Sequence, residues 1–437
     1  MSRLLLLFVA ALMLTGAPVH AEESTGKSAT PASEQPRPFD VDAATAAYLA
    51  TMSPEAHARS DAYFEGGYWL TLWDFIIGLA VAWLLVAAGW SRRWRDLAER
   101  MTRFKWLQPA LYGIAYVAVV SLVTLPWAAY EGYFREHQYA MSNQTLVAWL
   151  VDQLKGLGIG VIFGAIVFAA IYAVIRKASK TWWLWGSMVM MTLLVFQIVI
   201  GPAYLEPVFN QFYALPESDL KQEILSLARA NEIPVTQVYE FDASKQTTKI
   251  SAHVSGVLGT AQISMNDNLM NRASPEEIKA VLAHEMGHYV LNHGYKSILA
   301  FGVIIVVGFA FVSWVFSRLA ARYPHWGIAG ASDVAGAPLL IAIFSVFMFV
   351  LTPIQNTITR EMEAEADAYG LNAARQPDGF AKAAVQLSEY RKMQPGFWEE
   401  VFFFDHPSGF NRIRRAMIWK AENVHTPDIA AYDASHP

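Results

Sequence analysis

Apolar residues along this chain do not alternate with polar ones. They gather in runs of roughly twenty residues, the length a helix needs to cross a bilayer. The runs are Tyr68–Trp90, Pro109–Tyr130, Gly158–Ile175, Trp182–Tyr204, Ile298–Phe316 and Pro338–Gln355. Trp69, Trp127, Tyr130, Trp182, Trp183 and Tyr204 sit near their ends, where interfacial aromatic belts form. Residues 68–204 therefore hold four spans joined by short loops, and two more follow a mixed polar and apolar segment, 205–297. Within that segment, Leu220, Ile224, Leu225 and Ala228 predict a helix over Glu217–Asn231. Val235–Phe241 alternates as a strand, and Ile250–Leu258 and Gln262–Met265 read as two more, parted by Gly259.

Before the first span, Met1–Ala21 reads as a secretory signal peptide: Arg3, an apolar core Leu4–Leu14, and Val19-His20-Ala21 as a cleavage site. The alternative is an uncleaved first anchor. Residues from Glu22 to about Asp40 are rich in Ser, Thr, Pro and charge and predict disorder. Ala43–Ala62 predicts a short helix leading into the first span. The expected organisation is thus 1–21 signal peptide, 22–67 polar segment, 68–204 membrane domain, and 205–437 a second domain that includes helices 298–316 and 338–355.

Composition agrees. Of 437 residues, 54% are hydrophobic and 16% charged, against about 25% charged in soluble domains. The net charge of −5, without a basic stripe through any domain, argues against a nucleic-acid partner. The absence of cysteine excludes disulfides, a thiol nucleophile and thiolate zinc ligands.

Val281 to His293 reads V-L-A-H-E-M-G-H-Y-V-L-N-H, and His284, Glu285 and His288 form the pattern H-E-x-x-H. Residues four apart stack on one helix face, so His284 and His288 can grip one metal ion. Glu285 lies beside them, placed to reach a water on that metal, which is the arrangement of a zinc peptidase. Ser274 as N-cap, Pro275 at the first helical position and Glu277 as capping-box partner start this helix, and Gly294 is placed to end it. A catalytic zinc needs a third protein ligand. The segment Thr359-Arg360-Glu361-Met362-Glu363-Ala364-Glu365-Ala366-Asp367 offers Glu363 and Asp367 on one face. One of them can bind metal while the other fixes the tautomer of a ligand histidine. Glu361 and Glu365 read as a solvated face. His406, in His406-Pro407-Ser408-Gly409-Phe410-Asn411-Arg412, is a candidate donor to a developing oxyanion. The strand carrying Ser251-Ala252-His253 has an edge that can pair with an extended substrate. The fold class is mainly α: a multi-span helical membrane protein with a small α+β zinc metallopeptidase domain.

Together these pieces resemble the type I CaaX prenyl protease family, integral-membrane zinc metallopeptidases of the gluzincin kind. The resemblance rests on His284-Glu285-Met286-Gly287-His288 continuing to Asn292-His293. Thr359-Arg360 with Glu363 and Ala366-Asp367, and His406-Pro407-Ser408 with Arg412, add to it. Pro207-Val208-Phe209-Asn210 and Asp152 with Lys155 also match family positions. It implies one Zn2+ per chain on His284, His288 and Glu363, with Glu285 as general base and Asp367 behind the ligands. It also implies His406 as transition-state donor supported by Arg412, His293 as structural, and membrane helices around a large chamber. Ser251-Ala252 stands where the family has Asn-Ala, Gln246 where an Arg is expected, and Thr359 where Ser is usual. The family's first span corresponds to the segment read above as a signal peptide.

The expected function is a multi-pass membrane zinc endopeptidase acting on membrane-associated or lipid-modified (CaaX-type) protein substrates, in contact with membrane lipids. A zincin buried in the bilayer is disfavoured, because Glu276, Glu277, Lys279 and Asn292 make the motif helix too polar. The non-enzyme alternative is a metal-transport or scaffold protein with a structural zinc, drawing on Asp74 and Gln197 within apolar runs. Asp74 reads more readily as an interface residue. Arg92, Arg93, Arg95, Arg100, Arg103 and Lys105 follow the first span, and Arg176, Lys177 and Lys180 precede the fourth. Positive residues collect in the cytoplasm, which puts the peptidase segment on the opposite face, the periplasm of a bacterial inner membrane. The family resemblance argues for a cytoplasmic opening.

Overall fold

The computed structural model describes residues 39–256, 261–426, 428–430 and 433, and everything below belongs to the unit that begins at Asp40. The expected signal peptide and most of the expected disordered segment lie outside the described residues. The predicted leading helix is two helices. Asp40 caps α1 (Val41–Leu49) through Ala43 N–H at 2.9 Å. Ser53 caps α2 (Pro54–Ala87), which runs straight into the first span.

Among the described residues, five helices are long and apolar enough to cross a membrane: α2, α4 (Leu107–Gln138), α5 (Leu146–Lys177), α6 (Trp182–Phe209) and α10 (His293–Arg322). The short α3 (Trp90–Met101) lies between the first two. At 28 to 34 residues these helices exceed the apolar runs, because polar flanks continue them beyond the hydrocarbon layer. The α4 and α6 helices each pass through a π-helical turn. The sixth run is not one helix. It is α11 (Ala337–Val350) and α12 (Thr352–Ala374), with the axis bent by 56° at the break. Leu351 N–H is shared between Phe347 O and Met348 O. Pro353 then lacks the N–H that would continue the ladder.

The peptidase half has a four-stranded sheet in the order β1-β2-β4-β3. β1 (Phe212–Ala214) pairs antiparallel with β2 (Val238–Phe241), β2 parallel with β4 (Gln262–Asn266), and β4 antiparallel with β3 (Ala252–Ser255). β3 is therefore an edge strand. The predicted helix appears as α7 (Asp219–Ala230), and α8 (Asp267–Arg272) follows the sheet. β1 is too short to show alternation and is absent from the sequence reading. Residues 257–258 of the predicted strand Ile250–Leu258, and Gly259, lie outside the described residues. Ile224, Val238, Ile263, Met265, Leu282 and Met286 are fully buried between the sheet, α7 and the motif helix.

That helix, α9 (Pro275–Val290), begins with the expected capping box. Ser274 N–H donates to Glu277 Oε2 at 2.8 Å and Glu277 N–H to Ser274 Oγ at 3.3 Å. Its end differs from expectation. Asn292, not Gly294, takes the left-handed conformation (φ 58°), and α10 starts at His293 with Gly294 inside it. Asn tolerates that region because its short polar side chain bonds locally, here to Val290 O at 3.2 Å.

Candidate metal and active site

α9 and α12 bring His284, His288 and Glu363 together. One ligand atom from each lies within 4.8 Å of the others. His284 Nε2 is 3.2 Å from His288 Nε2 and 3.1 Å from Glu363 Oε2, and His288 Nε2 is 3.4 Å from Glu363 Oε1. Ligand atoms about 2.1 Å from a tetrahedral zinc lie about 3.4 Å apart, so this triangle fits that ion. Glu363 Oε2 is buried and, although close to His284, has no hydrogen bond aligned on it. A buried carboxylate oxygen with no aligned donor is one that a cation would satisfy.

The approach of the two helices depends on glycine. A Cβ on Gly370 would stand 2.9 Å from His284 N, and one on Gly287 would stand 3.2 Å from Ala366 Cα. Both helices thus meet at backbone distance beside the ligands.

Each imidazole is held from behind. His284 Nδ1 lies 2.8 Å from Asp367 Oδ1. The Asp367 carboxylate is fully buried and receives Arg412 Nη2 at 2.6 Å and Nε at 3.1 Å, with Arg415 at 3.3 Å. Burial works against charge on His284, but the Asp367 and Glu363 carboxylates outweigh it and push its pKa up to about 9. His288 Nδ1 is 2.9 Å from His293 Nδ1, and His293 Nε2 is 3.0 Å from Glu365 Oε2, which also accepts from Lys296 at 2.6 Å. If Nε2 of His288 faces the metal, its Nδ1–H donates to His293, whose Nε2–H donates to Glu365, a consistent set of tautomers. Glu365 therefore belongs to the site's support, not to a free solvated face.

Glu285 lines a cavity of ≈ 200 Å³ together with His284, Arg391 and His406 and with Ile250, Val281, Phe380, Leu387 and Tyr390. Among the described residues its carboxylate makes no hydrogen bond or ion pair, though Arg412 feels its charge. Ser251 and Ala252, at the start of β3, line the same cavity. His406 Nε2 stands 3.4 Å from Glu363 Oε2, and its Nδ1 is 2.8 Å from Asp405 Oδ1. Burial opposes the Asp405 charge, yet His406 holds that carboxyl below its usual range. Among the described residues Arg412 bonds to Asp367 and not to His406. Asp405 holds the His406 ring at Nδ1, and Arg391 Nη2 stands 3.5 Å from its Nε2. Arg360 fixes the loop by donating to Glu400 O at 2.8 Å and Phe404 O at 2.6 Å.

Residues 214–420 match the model of Peptidase family M48, and residues 41–211 match that of the CAAX prenyl protease N-terminal segment, described by its five membrane helices. The chain belongs to the CaaX prenyl protease family. It is an integral, multi-pass membrane metallopeptidase. It is 29% identical over 357 residues to an uncharacterized metalloprotease of Bacillus subtilis (80% of this chain, 83% of that one). It is 26% identical over 319 residues to the CAAX prenyl protease 1 homolog of Oryza sativa (69% and 72%). The fold matches the crystal structure of S. mikatae Ste24p with a TM-score of 0.71 at 19% identity, covering 86% of this chain and 94% of that chain.

Family positions scattered in the sequence converge in this CaaX protease relative. Asp152 accepts from Gln144 at 2.6 Å, Gln246 at 2.9 Å and Lys155 at 3.0 Å, and Asn210 donates to Gln246 at 3.1 Å. The cluster ties α5 to the peptidase half. Asp74 accepts from Trp127 Nε1 at 2.5 Å, which gives it a partner between spans. Asp405, Arg391 and the His293–Glu365 pair go unread in the sequence, and Arg360 is read there only as part of the family resemblance. Only a carboxylate directly before a candidate histidine, Asp405, left a local signal.

Proposed function

We propose that the protein is a zinc endopeptidase of membrane-associated, lipid-modified (CaaX-type) protein substrates, with one zinc per chain held by His284, His288 and Glu363. The observation that carries this reading is the meeting of those three donors from helices some seventy-five residues apart, at spacings that suit a tetrahedral cation. When bound, zinc supplies a Lewis acid and brings the pKa of a water towards about 7. Glu285 accepts the proton of the attacking water at its free carboxylate and returns it to the leaving amine. His406 Nε2–H donates to the tetrahedral oxyanion, with Asp405 holding the opposite ring nitrogen. Asp367, clamped by Arg412, orients His284. Ser251 and Ala252 at the sheet edge hold the peptide extended beside the apolar wall of the cavity. The lipid-modified substrate class is supported by the relatives named as CAAX prenyl proteases.

In the same reading, residues 1–21 are a signal peptide, 22–67 a polar segment, 68–204 the membrane domain and 205–437 the peptidase domain. The catalytic side faces the periplasm of a bacterial inner membrane. Arg318 and Arg322, at the far end of α10, join the basic end of the spans and strengthen the charge argument. A reporter active only in the periplasm, fused at Pro437, tests that orientation.

The deciding experiment is metal analysis with peptide cleavage on purified protein. Wild type carries equimolar zinc and loses cleavage to a chelator. Glu285→Gln keeps zinc and loses cleavage, and His288→Ala loses both. Full cleavage by Glu285→Gln overturns the assignment.

A further inference from the structure

α3 has a stripe that the peptidase reading leaves unexplained. Trp90, Trp94, Leu97 and Met101 recur at intervals of four, three and four, which places them along one line of the helix. Trp94 turns in towards Tyr112, but Trp90, Leu97 and Met101 stay 46%, 54% and 63% exposed, and Phe104 and Trp106, in the turn after the helix, are 52% and 64% exposed. An adjacent face of α3 packs on protein. Ser91 donates to Ala335 O at 2.6 Å, Ala98 is buried, and Arg95 pairs with Asp333 at 2.7 Å. That contact fixes which way the stripe looks.

Cations flank it. By helical angle Arg93 and Arg100 border the stripe on the side away from the protein, and Arg103 and Lys105 follow the helix. Arg176 donates to Lys105 O, which brings the α5–α6 loop with Lys177 and Lys180 alongside. All six of the cations Arg93, Arg100, Arg103, Lys105, Lys177 and Lys180 are exposed. Among the described residues, the only cation of α3 with a carboxylate within 4.0 Å is Arg95. An exposed apolar line bordered by unpaired cations, at the ends of spans, is the pattern of a helix lying in the membrane–water boundary.

We propose that α3 lies flat in that boundary and that these six cations form a binding site for the phosphates of anionic phospholipid headgroups. The stripe enters the acyl boundary while the guanidinium and ammonium groups reach back to headgroup level. This site is separate from the metal site, and its test does not depend on zinc or on cleavage.

Two measurements test it on the full chain in lipid nanodiscs. In the first, retained lipid is quantified after detergent washing from discs of mixed phosphatidylcholine and phosphatidylglycerol. Wild type retains phosphatidylglycerol in preference by about tenfold, and high salt reduces that preference, as screening of exposed charge requires. Arg93→Gln with Arg100→Gln and Arg103→Gln removes most of it, while Arg414→Gln, on the peptidase side, leaves it intact. In the second, the absence of cysteine allows single labels at Leu97→Cys, Met101→Cys and Glu99→Cys. The first two labels report lipid contact and the third reports water. Equal retention of the two lipids by wild type, selectivity that survives the triple substitution, or three aqueous labels overturns the proposal.

Discussion

In α6, none of the most apolar window is buried within the protein, whereas α9 buries eight of its sixteen residues, among them Glu277 and His284. The two helices solve different problems. A span is solvated by lipid, and its side chains must only be apolar and long enough in sum. The metal helix, together with α12, must hold three donor atoms to within a few tenths of an ångström, and the two do so by backbone contact at Gly287 and Gly370 and by polar partners behind each imidazole. Sequence freedom should accordingly be wide in the first and narrow in the second.

The strongest way to test that contrast is Arg412→Ala. It takes the bidentate partner from the buried Asp367 carboxylate, leaving it Arg415 and His284, and breaking such a buried pair costs about 3–5 kcal/mol. Thermal unfolding of the peptidase half should fall sharply and zinc retention with it. Next is His406→Ala, which should lower kcat by about 10²–10³ while zinc content stays whole. An unchanged kcat would remove His406 from the mechanism. His293→Ala or Glu365→Gln should weaken zinc affinity about 10–100-fold in a chelator competition, with the fold intact. Ser274→Ala should cost about 1 kcal/mol through the lost cap. At the small end, Leu194→Ile or Ile198→Leu on α6 should change the free energy of unfolding by less than about 0.5 kcal/mol. A larger loss there would mean that α6 packs on protein or on a fixed partner.

The same contrast explains what the sequence revealed. Spans and caps are local: twenty apolar residues, or Ser274 followed by Glu277, announce themselves without knowledge of neighbours. The histidine pair and the Glu363–Asp367 face were legible because both follow the four-residue repeat of a helix. Contacts that close the site were not. Glu365 looks like any solvated carboxylate until α10 brings His293 and Lys296 to it. Arg360 and Asp405 gain their contacts only when α12 meets the helix Phe397–Phe403 and the chain after it. The break at Leu351 was hidden by an apolar run that continues across it, and β1 by its three residues.

That break has a mechanical consequence. Glu363 lies twelve residues beyond Leu351, about 18 Å along α12 at 1.5 Å per residue. A swing of only about 5° at that joint would carry the carboxylate about 1.5 Å, most of the length of a metal–oxygen bond. The packing of α12 on α9 must therefore hold that joint nearly rigid for the carboxylate to stay beside the two imidazoles.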